Sequence, residues 1–80
     1  MTERQAKIRA LVLQLSPVEG ADPSLSEHLF DSGILDSFGL PDLVSALEKE
    51  FSVRVPDKDL LPMNFSSIQV IDGFLARLAG

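Results

Sequence analysis

Among the side chains able to do chemistry, Ser37 stands apart. Asp36-Ser37-Phe38 lies between the apolar pair Ile34-Leu35 and a long amphipathic stretch, which puts one hydroxyl at the expected start of a helix. A serine there can cap the helix by accepting a hydrogen bond from the N–H of Gly39 or Leu40, a contribution of ~1 kcal/mol. It can equally be a modification site, because free N–H groups and the positive end of the helix dipole favour a phosphate esterified to the hydroxyl. Nucleophilic hydrolysis is excluded on residue types: His28 is the only histidine, and Leu35 stands where the first glycine of a G-x-S-x-G elbow belongs. Asp31, Gly33 and Asp36 do not make a calcium loop, since Leu35 interrupts the alternating oxygen ligands and no glycine follows at the sixth position. Asp31 and Asp36 could still hold a divalent cation while phosphate is transferred. His28 reads as a loop or helix-end residue with a water or backbone partner. The chain has no cysteine, so it offers neither a disulfide framework nor a zinc cluster, and any thiol chemistry needs sulfur from outside.

Eighty residues allow one domain, taken here as 1–80, near the lower end of what folds without disulfides or metals. No apolar run reaches the ~18 residues of a membrane span, and Met1-Thr2-Glu3-Arg4-Gln5 opens a polar, helix-like N-terminus with no signal-peptide core behind it. The expectation is a monomeric cytoplasmic protein. The net charge of −5 is uneven. Residues 1–16 carry +2 from Arg4, Lys7 and Arg9 against Glu3, whereas residues 17–36 carry −5 from Glu19, Asp22, Glu27, Asp31 and Asp36, with no Lys or Arg. An acidic segment leading into Ser37 repels polyanions, which argues against nucleic acid and for a protein partner with a basic patch, or for solubility alone.

The elements that would position Ser37 follow from periodicity. Thr2 and Gln5 fit a capping box, and Ile8, Leu11, Val12 and Leu15 recur at helical spacing over the first ~14 residues, with Pro17 ending that helix. From Ser16 to about Asp36 there is a long loop containing Pro17, Gly20, Pro23 and Gly33, with a turn around Ser24–Leu29 and with Leu25, Leu29, Phe30, Ile34 and Leu35 as its anchors on the core. Leu40, Leu43, Val44, Leu47 and Phe51 mark a second helix from about Phe38 to Phe51. Ser52-Val53-Arg54-Val55 reads as a short extended piece, Lys58–Leu61 as one helical turn, and Pro62 as its end. Ser66 and Gln69 fit a second capping box, with Phe65 and Val70 as a hydrophobic staple, ahead of a last helix whose apolar face holds Ile68, Val70, Ile71, Phe74, Leu75 and Leu78. Gly73 costs that helix ~1 kcal/mol relative to Ala. The fold class is all-α: three long helices, one short helix and a long first loop.

Taken together, the long loop, Asp36-Ser37-Phe38, the helix ending in Leu47-Glu48-Lys49-Glu50-Phe51, the Val53-x-Val55-Pro56 step, the short turn and the last helix resemble the acyl and aminoacyl carrier proteins over nearly the whole chain. Asp-Ser-hydrophobe alone is a weak signal. Glu-Phe-x-Val-x-Val-Pro, reaching its Phe about fourteen residues after the serine, makes the combined order specific. Ile34-Leu35-Asp36-Ser37-Phe38-Gly39 is closer to the stand-alone D-alanyl and aminoacyl carriers than to fatty-acid carriers, which tend to have glycine where Ile34 stands.

The resemblance implies a four-helix carrier bundle, not an enzyme. It implies that Ser37 bears a covalent 4′-phosphopantetheine arm derived from coenzyme A, whose thiol holds an acyl or aminoacyl group as a thioester. Asp36 would help a phosphopantetheinyl transferase place magnesium and coenzyme A. Further partners would be an ATP-dependent acyl- or aminoacyl-activating ligase and a downstream acyltransferase or synthase. Phe38, where the family usually has Leu or Met, would be a partly exposed contact for them, and Asp42, Ser45, Ala46, Glu48 and Lys49 would fall on the helix surface that they read. Leu43, Val44, Leu47 and Phe51 would be core. Lys49 replaces an expected acid and weakens the negative patch that fatty-acid enzymes recognise. Pro41 is out of place if Ser37 is the cap, because it lacks the N–H of an early intrahelical bond. Either the first turn is irregular or the regular helix begins nearer Pro41. The rival reading is an unmodified helical interaction module that kept the bundle and lost the cofactor. Cargo identity is not encoded in these residues.

Overall fold

Thr2 and Gln5 close the expected reciprocal cap. The Gln5 N–H donates to Thr2 Oγ1 at 3.0 Å and the Thr2 N–H donates to Gln5 Oε1 at 2.9 Å. From that cap α1 runs over Glu3–Leu15, and Ser16, in an extended conformation ahead of Pro17, ends it. A computed structural model describes residues 1–79, so the last residue of the expected domain lies outside the described residues. Within them α2 (Leu40–Phe51) and α3 (Ile68–Ala79) complete an all-helical fold, with no strand among the described residues.

The core is the meeting of three helical stripes. Ile8 and Val12 from α1, Leu43, Val44 and Leu47 from α2, and Ile68, Ile71, Phe74 and Leu75 from α3 are all buried. Each such side chain contributes roughly 1.5–3 kcal/mol by leaving water. Phe65 fills the base of the bundle edge-to-face against Phe74, with ring centroids 5.4 Å apart. α1 lies against both other helices. Its polar side is tied to α3 by an Arg4–Asp72 ion pair and by Gln5 Nε2 donating to Asp72 Oδ2 at 3.2 Å.

The long first loop is held down as its apolar residues suggested. Leu29, Ile34 and Leu35 are buried, and Leu25 and Phe30 pack at the core edge. Backbone hydrogen bonds then fasten it to the start of α3: the Leu29 N–H donates to Ser66 O at 2.7 Å and the Gln69 N–H to Leu25 O at 2.9 Å. A third, from the Leu35 N–H to Leu29 O at 2.9 Å, folds the loop back on itself just before Ser37.

Several local expectations are corrected. The helical turn expected over Lys58–Leu61 is a 3-10 turn at Asp57–Asp59, and Pro62 opens a second 3-10 turn, Pro62–Phe65, instead of closing the first. Proline suits that opening position because its missing N–H has no partner there anyway. The extended piece after α2 begins with Ser52 in the left-handed region, at φ 53°, and Val55 is buried beneath α2. At α3 the capping box of Ser66 and Gln69 does not form. Ser67, one residue later and buried, accepts the Val70 N–H at 3.1 Å, while Ser66 Oγ donates to Met63 O and the Gln69 N–H is taken by the loop. Shifting the cap by one residue also takes Phe65 and Val70 out of staple register: Phe65 is fully buried and Val70 remains 39% exposed.

Candidate functional site

Asp36, not Ser37, caps the turn that leads into α2. Its carboxylate Oδ1 accepts the Phe38 N–H at 2.9 Å, an Asx-type arrangement that satisfies the first free donor of the turn. Ser37–Gly39 then form a 3-10 turn, in which the Gly39 N–H donates to Asp36 O at 2.8 Å and the Leu40 N–H to Ser37 O. The regular helix starts at Leu40, with Gly39 as its cap residue and Pro41 at its second position. Both alternatives raised by Pro41 therefore hold: the first turn is irregular, and the α-helix begins beside the proline, whose fixed φ suits a helix start. The helix expected from Phe38 is shorter by two residues for this reason.

This geometry changes what Ser37 can do. The donors at Phe38, Gly39 and Leu40 are already partnered, so the turn does not offer the free N–H cradle expected for a phosphate. It also leaves the serine hydroxyl without a capping duty. Ser37 is exposed, and its Oγ is engaged by no side-chain or backbone partner among the described residues. Phe38 beside it is 91% exposed, far more than a partly exposed contact, at a cost that no packing within the chain offsets. Among the described residues, Asp36 is the acid that holds the turn. Asp31 sits in its own turn, with its N–H donating to His28 Nδ1 at 3.1 Å and its carboxylate 3.7 Å from the same nitrogen. His28 thus has the backbone partner expected of it. Among the described residues no group of three or more His, Cys, Asp or Glu converges as a metal site.

Along α2 the expected surface residues separate. Asp42, Ser45 and Lys49 are exposed and Ala46 is half-buried, and with Phe38 they run down one side of the helix from the serine turn. Glu48 is different, because its Oε2 accepts the Val55 N–H at 2.8 Å and its carbonyl accepts the Ser52 and Val53 N–H groups. One of its carboxylate oxygens helps to hold the chain that leaves α2. Leu43, Val44 and Leu47 are core as expected, with Phe51 packed at its margin. Neither Asp36 as the cap nor Glu48 as a latch was read from the sequence. Pro41 carried the usable signal for the first, since a proline near a helix start implies that the cap lies upstream of it.

The structure thus presents an exposed serine, free of capping duty, on a turn of an all-helical bundle. In the family comparison, residues 6–71 match the model of the phosphopantetheine attachment site, and the chain belongs to that family of carrier proteins, whose cofactor is 4′-phosphopantetheine and which are not enzymes. Among curated proteins it is similar to the D-alanyl carrier proteins of Streptococcus sanguinis, Streptococcus gordonii and Streptococcus thermophilus, each 44% identical over 39 residues. That stretch is 49% of this chain and 49% of each relative, so the match spans about half the length of those proteins. No helix among the described residues is long and apolar enough to cross a membrane.

Proposed function

We propose that Ser37 is the attachment point of the arm and that this chain, as one carrier domain, presents an acyl or aminoacyl group to successive partner enzymes. The observation that carries the reading is the exposed Ser37 hydroxyl on a turn whose own donors are satisfied by Asp36 and the backbone. The hydroxyl fits the group chemically: in the loading reaction Ser37 Oγ would bond to the pantetheine-bearing phosphorus of coenzyme A, the anhydride bond from that phosphorus to 3′,5′-ADP would break, and the hydroxyl proton would pass to a base of the transferase. When bound, the arm supplies the thiol that this cysteine-free chain lacks, and with it a thioester handle. Tethering then raises the local concentration of cargo at each partner without any chemistry by the carrier itself.

Asp36 has two tasks in this reading. One carboxylate oxygen holds the Phe38 N–H, and the exposed remainder assists the transferase in placing magnesium and coenzyme A. Phe38, Asp42, Ser45, Ala46, Glu48 and Lys49 form the surface read by the transferase, by an ATP-dependent activating ligase and by the enzyme that removes the cargo. A dependence on coenzyme A and ATP would be met in the cytoplasm, which is the proposed location. The D-alanyl carriers among its relatives favour a small aminoacyl cargo over a long fatty chain.

Incubation with coenzyme A and a broad-specificity phosphopantetheinyl transferase, followed by intact mass, tests the reading. The wild-type chain gains the mass of one arm and the Ser37→Ala chain gains none. An unmodified wild type refutes it in favour of an unmodified interaction module, and a gain that survives the substitution refutes Ser37 as the attachment point.

A further inference from the structure

The surface is hollowed on both sides of the Leu35–Asp36 link. One depression of about 370 Å3 is lined by Pro17, Phe30, Gly33, Leu35, Asp36 and Ser37 itself. Another of about 270 Å3 shares Pro17, Leu35 and Asp36 with it and extends to Leu15, Gly39 and Asp42. Together they make a shallow trough on the loop side of the serine, based on Leu35 and edged by Pro17 and Phe30. A separate groove of about 320 Å3 lies along α2, between Leu40, Val44, Ser45 and Leu60, and Ser37 is not part of its lining.

Resting on the reading that Ser37 bears the arm, we propose that the arm folds back into the loop-side trough over Pro17, Phe30 and Leu35, and not into the groove along α2. Tethering is the first reason. The attachment oxygen belongs to a residue that lines the trough, so the arm reaches it without crossing α2, at the high effective concentration of a short link. Chemistry is the second, because the carbon next to the arm's phosphate-bearing methylene carries two methyl groups, and the nearest apolar surfaces on this side are Pro17, Phe30 and Leu35. Electrostatics agrees. Residues 17–36 contain no Lys or Arg, so nothing in the loop holds the phosphate, which stays in water while the methyl groups rest on the protein.

Gly33 keeps the trough open. Its φ of +83° suits glycine, and a Cβ placed there would meet no atom within 4 Å. Asparagine is among the side chains that best tolerate a positive φ, so Gly33→Asn fills the space with an amide side chain, with some backbone strain at φ +83°. Pro17→Glu, at an exposed position, puts a charge at the trough edge by a route that does not involve Gly33.

The test uses the full chain labelled with 13C and 15N and loaded from unlabelled coenzyme A, with intact mass first establishing modification. Isotope-filtered spectra are expected to show contacts from the arm methyl groups to the Phe30 ring, Pro17 and the Leu35 methyls. Amide shifts should change at Gly33 and Leu35 as well as at Asp36–Phe38. The trough contacts and the shift change at Leu35 are lost in Gly33→Asn and Pro17→Glu while the mass gain and the changes at Asp36–Phe38 remain, and all of them survive Leu60→Ala. Contacts to Leu40, Val44 or Leu60, or shift changes confined to Asp36–Phe38, overturn the trough but leave the attachment reading standing. A chain that gains no mass overturns both.

Discussion

Ser37 and Ser67 stand at matching places in the chain, each just ahead of a regular helix, and they are used in opposite ways. Ser67 is buried, accepts the Val70 N–H at 3.1 Å, and is consumed as the cap of α3. Ser37 is exposed, and the capping duty beside it has passed to Asp36, whose carboxylate takes the Phe38 N–H at 2.9 Å. A hydroxyl is available to an outside enzyme only when it is neither buried nor spent on the backbone. Here one neighbouring carboxylate and one proline two residues into α2 separate a structural serine from a candidate functional one.

Exchanging alanine at the two positions breaks the comparison most sharply. Ser37→Ala should abolish loading completely, read as intact mass, while changing stability by no more than ~0.5 kcal/mol, because the side chain holds nothing in the fold. Ser67→Ala should do the reverse. It leaves the Val70 N–H without its partner and should cost about 1–2 kcal/mol in urea unfolding, with loading by the transferase unchanged. Equal stability losses at the two sites would show that Ser37 is a cap after all.

Backbone protection sharpens the same contrast. The Gly39 and Leu40 amides, held by 3-10 bonds ahead of α2, should exchange with solvent on the order of tenfold faster than the Leu43 and Leu47 amides, which corresponds to ~1.4 kcal/mol of local opening. Protection equal to mid-helix values would mean that the turn is as firm as the helix behind it. The smallest effect is expected from Asp36→Asn. Asparagine can accept the Phe38 N–H as aspartate does, so stability should move by only a few tenths of a kcal/mol. Loading should nevertheless slow, because the charge offered to magnesium is gone. An unchanged loading rate would confine Asp36 to its capping role.

The helices were legible because their information is local. Ile8, Leu11 and Val12, or Leu40, Leu43, Val44 and Leu47, announce a buried face through spacing alone, and the Thr2–Gln5 cap is a pattern four residues long. The loop anchors Leu29, Ile34 and Leu35 were legible for a related reason, since apolar residues in an otherwise polar loop have few places to go. Ser66 misled because a capping box with Gln69 fits the sequence as well as a plain cap at Ser67. The choice fell to Ser67 once the Gln69 N–H was claimed by Leu25 O, a residue more than forty positions earlier. Glu48 falls on the partner-facing helix surface with no sign of its second task, since the Val55 N–H that it accepts arrives only when the chain turns back under α2.

From its sequence alone the chain determines three amphipathic helices, a pinned first loop, the absence of any thiol of its own, and Ser37 as the hydroxyl worth asking about. Those properties reside in side-chain type and short-range spacing, which do not depend on how the helices are assembled. Which oxygen takes which N–H was decided only by the tertiary structure. Several carboxylates and hydroxyls lie close enough in sequence to compete for each donor, and packing selects among them by position, burying Ser67, committing Glu48 and leaving Ser37 open.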